Sequence, residues 1–226
     1  QQNKFREQAK TAALDRWYRK RLKAVAKQIA QIALEWEGSD PSQLQLSLFD
    51  YSVRLDEWAR SVADIMLRRA ASADYDTWLR IGQKISRETR RKLKDAAAGP
   101  IFNRLREEQV ALIRSLPMEA AKKAQEWAAS GLSDGQRYAD IVQRIKNELG
   151  GVTESRAICI ARTETARARS NFTQARAQAV GSTHYVWHTV GDNAVRPRHR
   201  ELDKTVHAWS DPPICDVGAG GTPIRS

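Results

Sequence analysis

Cysteine is almost absent from this 226-residue chain: Cys159 and Cys215 are the two. Two thiols cannot build a disulfide framework, so folding must rest on a buried core. Proline is sparse at seven residues and glycine numbers twelve, which excludes collagen-like and Pro/Gly-rich disordered chains. No apolar run approaches the roughly 18 residues needed to span a bilayer. The polar, charged N-terminal stretch lacks the apolar segment of a signal peptide. Acidic residues are outnumbered: 27 Asp plus Glu face 38 Lys plus Arg, a formal net charge of +11 with a pI near 9.9. What is present is seven Trp and regularly spaced Leu, Ile and Val, in a chain 41% hydrophobic and 29% charged, with mean hydropathy −0.61. This composition predicts a soluble, basic, cytoplasm-made globular protein of one large or two small domains. Its first expected partner is acidic, nucleic acid being the commonest case. Beginning at Gln1 and stopping at Ser226 in a Gly/Pro-rich stretch, the sequence is expected to be part of a longer product.

The first two thirds reads as helix. Leu14, Tyr18, Leu22, Val25, Ile29, Ile32 and Trp36 recur at helical spacing, and Gly38 and Pro41 are expected to stop that helix. A second helix is predicted from near Ser52 with Leu55, Trp58, Val62 and Ile65 on one face. A third is predicted from near Asp74, carrying Trp78, Ile81 and Ile85 and ending before Gly99-Pro100. A fourth carries Phe102, Leu105, Leu112 and Leu116, and Pro117 then reads as the start of a short helix ending at Gly131. Ser133 or Asp134 is the expected N-cap of a helix ended by Gly150-Gly151, and Thr153 of the next, which reaches Gly181. Along that last helix Ile158, Ala161, Thr165, Ala168, Phe172, Ala175 and Ala179 form a stripe of mostly small residues. Residues 184–190 read as a strand with 204–209 as partner, a short helix lying between them, and an extended loop follows from Asp211. The predicted fold is mainly α with a small β element. Its parts are a long-helix region 1–116, a helix–strand α+β domain 117–210 and a Gly/Pro-rich tail 211–226.

The charge is uneven. Residues 4–27 hold nine basic residues against Glu7 and Asp15, and residues 80–94 hold seven against Glu88. Arg80, Lys84, Arg87, Arg91 and Lys94 step by four and three, which on one helix would line them along one face. Such a stripe suits a phosphate backbone, or equally an acidic protein or plain solvent. No base-reading motif accompanies it, so DNA contact would be independent of sequence. Arg162, Arg169 and Arg176 recur every seven residues and read as surface charge. An Arg167–Glu164 pair is expected.

All four His lie between 184 and 207. His199, His207 and Cys215, with Asp211 and Asp216 nearby, are the candidate metal ligands, but tight ligand pairs are missing and no metal is assigned. His188, Asn193 and His199 are too closely spaced for the strand–loop–helix of a His/Asn/His nuclease. No P-loop, nucleophile elbow or zinc-protease motif is present.

Taken in order, Gly131-Leu132-Ser133, the helical run Ile160-Ala161-Arg162-Thr163-Glu164, Gly181, Trp187, Gly191-Asp192, Val195-Arg196, His199 and Leu202 resemble the head-morphogenesis family of tailed bacteriophages. These are the minor head proteins, or Mu F protein-like family, and the resemblance spans residues 131–210. It implies a structural minor head protein with no catalytic residues and no cofactor, acting in head assembly and in DNA packaging or delivery. The implied partners are the portal protein, other head or neck proteins and DNA bound without sequence preference, with no membrane. The implied setting is the virion head near the portal vertex, in several copies around a ring, and the host cytoplasm during assembly. Where family members often carry Gly after His-x-x-Leu, this chain has Asp203-Lys204, and it lacks their Cys pairs. Within the signature, Arg162, Thr163, Glu164, Trp187, Asp192, Arg196 and His199 are expected to form a polar cluster joining helix to strand turn. The competing reading is a DNA-binding or metal-dependent DNA-processing enzyme using the His-rich turn.

Overall fold

The computed structural model of the chain describes all residues except 1, 39, 82–85, 98, 190, 192–194, 218–221 and 226, and leaves the side chains of 2–10, 81, 224 and 225 undescribed. Six helices precede the strands: α1 (Gln2–Glu35), α2 (Pro41–Arg54), α3 (Asp56–Ile81), α4 (Arg87–Asp95), α5 (Pro100–Ser133) and α6 (Tyr138–Ala179). Then come β1 (His184–Val186), α7 (Pro197–Glu201), β2 (Val206–Ala208), β3 (Ile214–Val217) and β4 (Pro223–Arg225). The fold is mainly α with a small antiparallel β element, as the sequence predicts.

The four long helices α1, α3, α5 and α6 share one core, and α2 packs on α5. Cross-bridges give the directions. Lys23 pairs with Glu154 at 2.7 Å and Thr11 bonds Arg169, so α1 and α6 are antiparallel. Glu119 meets Arg156 at 2.8 Å and Arg104 meets Asn171 at 3.0 Å, so α5 and α6 are antiparallel as well. Leu14, Tyr18, Leu22, Val25, Ile29 and Trp36 are buried as their spacing predicts.

Several expected breaks lie inside helices. Gly150-Gly151 does not end a helix: α6 runs 42 residues, about 63 Å at 1.5 Å per residue. A Cβ on Gly150 would sit 2.6 Å from Ala30 Cβ, so this glycine serves the close approach of α1 and α6. Thr153 is no cap; its hydroxyl donates to the Leu149 carbonyl at 2.8 Å within α6. Pro117 lies buried inside the 34-residue α5, so the boundary expected at 116/117 falls within a helix. Ser133 is the last residue of α5, and the N-cap of α6 is Arg137. The α6 stripe is centred on Ala157, Ala161, Thr165, Ala168, Phe172 and Arg176, leaving Ala179 exposed.

Asp40 caps an unexpected helix, α2, by accepting from Ser42 N at 2.8 Å, with Pro41 at its first turn. α3 then begins at Asp56 and runs through Asp74, which is a buried core residue and not a cap. Ile65, expected on the buried face, is 39% exposed; Ala63, Met66, Leu67 and Ala70 are buried instead. Ile85 lies outside the described residues.

β1 and β2 pair antiparallel with Tyr185 opposite His207. β1 is shorter than the predicted 184–190, and α7 occupies the connection where a short helix was expected. Residues from Asp211 are not an extended tail: β3 and β4 form a second antiparallel hairpin. Among the described residues the strands and α7 pack among themselves and not on the helical bundle.

Candidate functional site

The signature run of α6 faces the bundle and not the strand turn. Glu164 is buried and pairs with Arg167 Nε at 2.9 Å, as the i, i+3 spacing predicts. Its carboxylate also accepts from Gln109 Nε2 at 2.5 Å, and Gln109 Oε1 accepts from the fully buried Tyr18 hydroxyl at 2.9 Å. Arg167 reaches on to Glu108 of α5. One polar chain thus links α1, α5 and α6, and it satisfies groups that would each be costly to bury alone. Burial, and after it the Glu164 charge, push the Tyr18 phenol well above its usual pKa, so it stays a donor. Arg162 and Thr163 are exposed.

Among the described residues the expected cluster therefore does not assemble. The turn holds its own residues instead. Trp187 meets His199 edge-on at 5.5 Å. Arg196 forms an ion pair with Asp216, and Arg198 Nε donates to the Ile214 carbonyl at 2.8 Å, which ties α7 to the second hairpin. Asp192 lies outside the described residues. Trp187 extends the β1–β2 ladder through bonds to the Thr205 carbonyl and Lys204 N, both 2.8 Å. Asp203 accepts from Thr189 N at 2.8 Å and from its hydroxyl at 3.2 Å. The Thr189 N–H, outweighing what burial adds, holds the Asp203 carboxyl below its ordinary pKa. Lys204, in the Asp203-Lys204 pair that departs from the family's Gly, sits at φ +67°, the left-handed region that glycine favours. Tyr185 stacks on Trp209 at 4.4 Å and contacts His207 at 5.9 Å, which makes one aromatic face of the hairpin.

His199, His207 and Cys215 do not converge. His207 Nε2 bonds the Thr205 hydroxyl at 2.6 Å, and Cys215 is buried in the second hairpin. Among the described residues no group of three His, Cys, Asp or Glu side chains could hold a metal ion.

The basic stripe is divided between elements. Arg80 lies in the last turn of α3, where its guanidinium bonds the Asp76 carbonyl at 3.2 Å and the Thr77 hydroxyl at 3.1 Å. Lys84 lies outside the described residues. Ser86 then starts a new helix by accepting from Thr89 N at 3.1 Å, so Arg80 and Arg87 do not share a helix face. On α4 itself Arg87, Arg90, Arg91 and Lys94 are exposed, while Leu93 is buried. Part of the α1 charge is engaged: Arg21 lies over Trp17 at 5.5 Å, joined there by Arg69 of α3 at 4.5 Å.

Arg176 holds α4 in place. It is buried, not the surface charge its heptad spacing suggested. Its guanidinium pairs with Asp74 and donates to the Ala71 carbonyl at 2.9 Å, while Nε donates to the Leu93 carbonyl at 2.7 Å. Leu93 is in the last turn of α4, where carbonyls lack intrahelical partners, so Arg176 caps the basic helix from α6. Thr173 completes Asp74 with a hydroxyl bond at 2.5 Å. No local pattern signals this pair, because Asp74 and Arg176 are 102 positions apart.

Comparison with known proteins adds a family. Residues 122–224 match the family described as "Phage Mu protein F like protein". A protein of Haemophilus influenzae described as uncharacterized is 27% identical over 189 residues, which cover 83% of this chain and 39% of that protein. The chain thus spans about two fifths of that relative's length. No solved structure matches. The similarity to the Phage Mu protein F like family thus lies in the C-terminal part of the chain, residues 122–224, and takes in the residues on which the sequence resemblance rests.

Proposed function

From the match of residues 122–224 to that family, we propose that the chain is a structural minor head protein of a tailed bacteriophage. In this reading it sits at the portal vertex in several copies and acts in head assembly and in packaging or delivery of DNA. It carries no catalytic residues and needs no cofactor. Its place is the virion head, reached from the host cytoplasm during assembly. The family match is the observation that carries the reading. The architecture supports it in two ways. A helix of about 63 Å, tied to α1 and α5 by buried polar bonds, is a rigid strut suited to bridging larger components. The exposed Arg87, Arg90, Arg91 and Lys94 offer α4 to phosphates without any base-reading element, so packaged DNA is contacted whatever its sequence. No helix among the described residues is long and apolar enough to cross a membrane.

Co-expression with the portal protein of the same phage tests the assignment. The chain is expected to co-elute with the portal ring in size-exclusion chromatography. Separate elution at micromolar concentrations of both contradicts portal association.

A further inference from the structure

α2 turns an apolar row to solvent. Leu46, Phe49 and Val53 follow i, i+3, i+7 spacing and are 64%, 51% and 50% exposed. Three large apolar side chains in one row go beyond the scattered exposure of an ordinary surface. The row is not the core contact of α2, which is made by Leu44, Leu48 and Ser52.

One step around the same helix, Ser47, Asp50 and Arg54 form one wall of a cleft of about 380 Å³, and the C-terminal end of α1 forms the other, with Trp36 buried there. Glu35, Glu37 and Asp50 stand at this cleft against the single cation Arg54. Glu37 and Asp50 are exposed and make no ion pair among the described residues. The last turn of α1 carries no basic residue, so its terminal carbonyls add to the negative potential. In a chain of net charge +11 this face has the opposite sign.

We propose that this face docks a cationic amphipathic helix of another protein. Its apolar side chains lie on Leu46, Phe49 and Val53, and its Lys or Arg side chains lie over the cleft. Charge complementarity selects the occupant. The carboxylates repel DNA. An antiparallel second copy of α2 would set Asp50 against Asp50 of the copy at the centre of the contact. The basic α4 of a second copy brings charge without an exposed apolar row, since its Leu93 is buried. The inference stands apart from portal association, because it names the chemistry of an occupant for one element.

The test uses the full chain and a labelled synthetic helical peptide with Leu at i, i+3 and i+7 flanked by Lys, followed by fluorescence anisotropy. A peptide with Glu for Lys and one with Ser for Leu are the controls. Binding is expected only for the Leu/Lys peptide. It should weaken at least tenfold in L46S/F49S/V53S, and several-fold in E37Q/D50N or when salt is raised. These positions are exposed, so an unchanged melting temperature certifies the fold of each variant. Equal binding to L46S/F49S/V53S, or to the Glu peptide, overturns the proposal. So does sedimentation showing that the chain self-associates through this row and that the Leu/Lys peptide does not compete.

Discussion

Replacing Arg176 with Met strips the buried Asp74 of its counter-charge and the α4 C-terminus of its cap. Asp74 is 4% exposed and Arg176 is 2% exposed, so water cannot take over. Breaking a buried pair by removing one partner costs about 3–5 kcal/mol, because a charge is left uncompensated. A loss of about 4 kcal/mol, at an m-value of about 2–3 kcal/mol/M, moves the urea midpoint down by about 1.3–2 M. Helix content at 222 nm follows that transition. A local effect accompanies it: amide exchange in α4 should accelerate more than in α5, because Arg176 Nε is the donor to the Leu93 carbonyl. R176M/D74L removes the stranded carboxylate and fills the space with apolar atoms, so it should recover most of the loss. A single variant within about 1 kcal/mol of the parent, or a double variant no better than the single, would show that the Asp74–Arg176 pair does not hold α4 in place.

Gly150→Ala gains about 1 kcal/mol of helix propensity but drives a methyl against Ala30. A net loss of about 1–2 kcal/mol is expected in urea melts, partly restored by A30G/G150A. Lys204→Gly should be neutral or stabilising by up to about 1 kcal/mol, whereas Lys204→Val should be clearly destabilising, because the site holds φ +67°. The lowered Asp203 carboxyl favours the folded hairpin fully above its unfolded value near pH 3.9, and the contribution is lost as pH falls through the lower folded value. The Thr189 amide resonance should therefore move below about pH 4, and an unchanged resonance down to pH 2 would contradict a carboxylate bond to this amide. R87Q/R90Q/R91Q/K94Q should weaken duplex binding and lower the slope of log K against log salt by up to about 3.6, at about 0.9 per lost phosphate contact.

What the sequence made legible follows physical range. The α1 stripe is local periodicity, and it places Tyr18, Leu22 and Ile29 in the core correctly. β1, β2 and α7 also follow from local composition. Gly150 reads as a stop because its real cause, contact with Ala30, lies 120 positions away. Pro117 reads as a start because a proline inside a helix is normally unfavourable, yet here it is buried within a long packed helix. The basic stripe fails for the opposite reason: periodicity continues across Ser86, and only the N-cap bond to Thr89 shows that the helix begins again. In the candidate site the Glu164–Arg167 pair was legible as an i, i+3 spacing. The further link from Glu164 to Gln109 and Tyr18, and that from Arg176 to Asp74, depend on which helices become neighbours. Asp40 followed by Pro41 is the local signal that would have found α2, since an Asx cap with proline in the first turn is a helix start as much as a stop.

The proposed function makes the chain a component of a phage head at its portal vertex. Cross-linking mass spectrometry on purified, DNA-filled heads of the phage that encodes it tests this directly. The chain is expected in the particles, with its lysines cross-linked to the portal protein. Heads that are complete and filled but lack the chain, or that carry it with cross-links only to distant shell proteins, would contradict it.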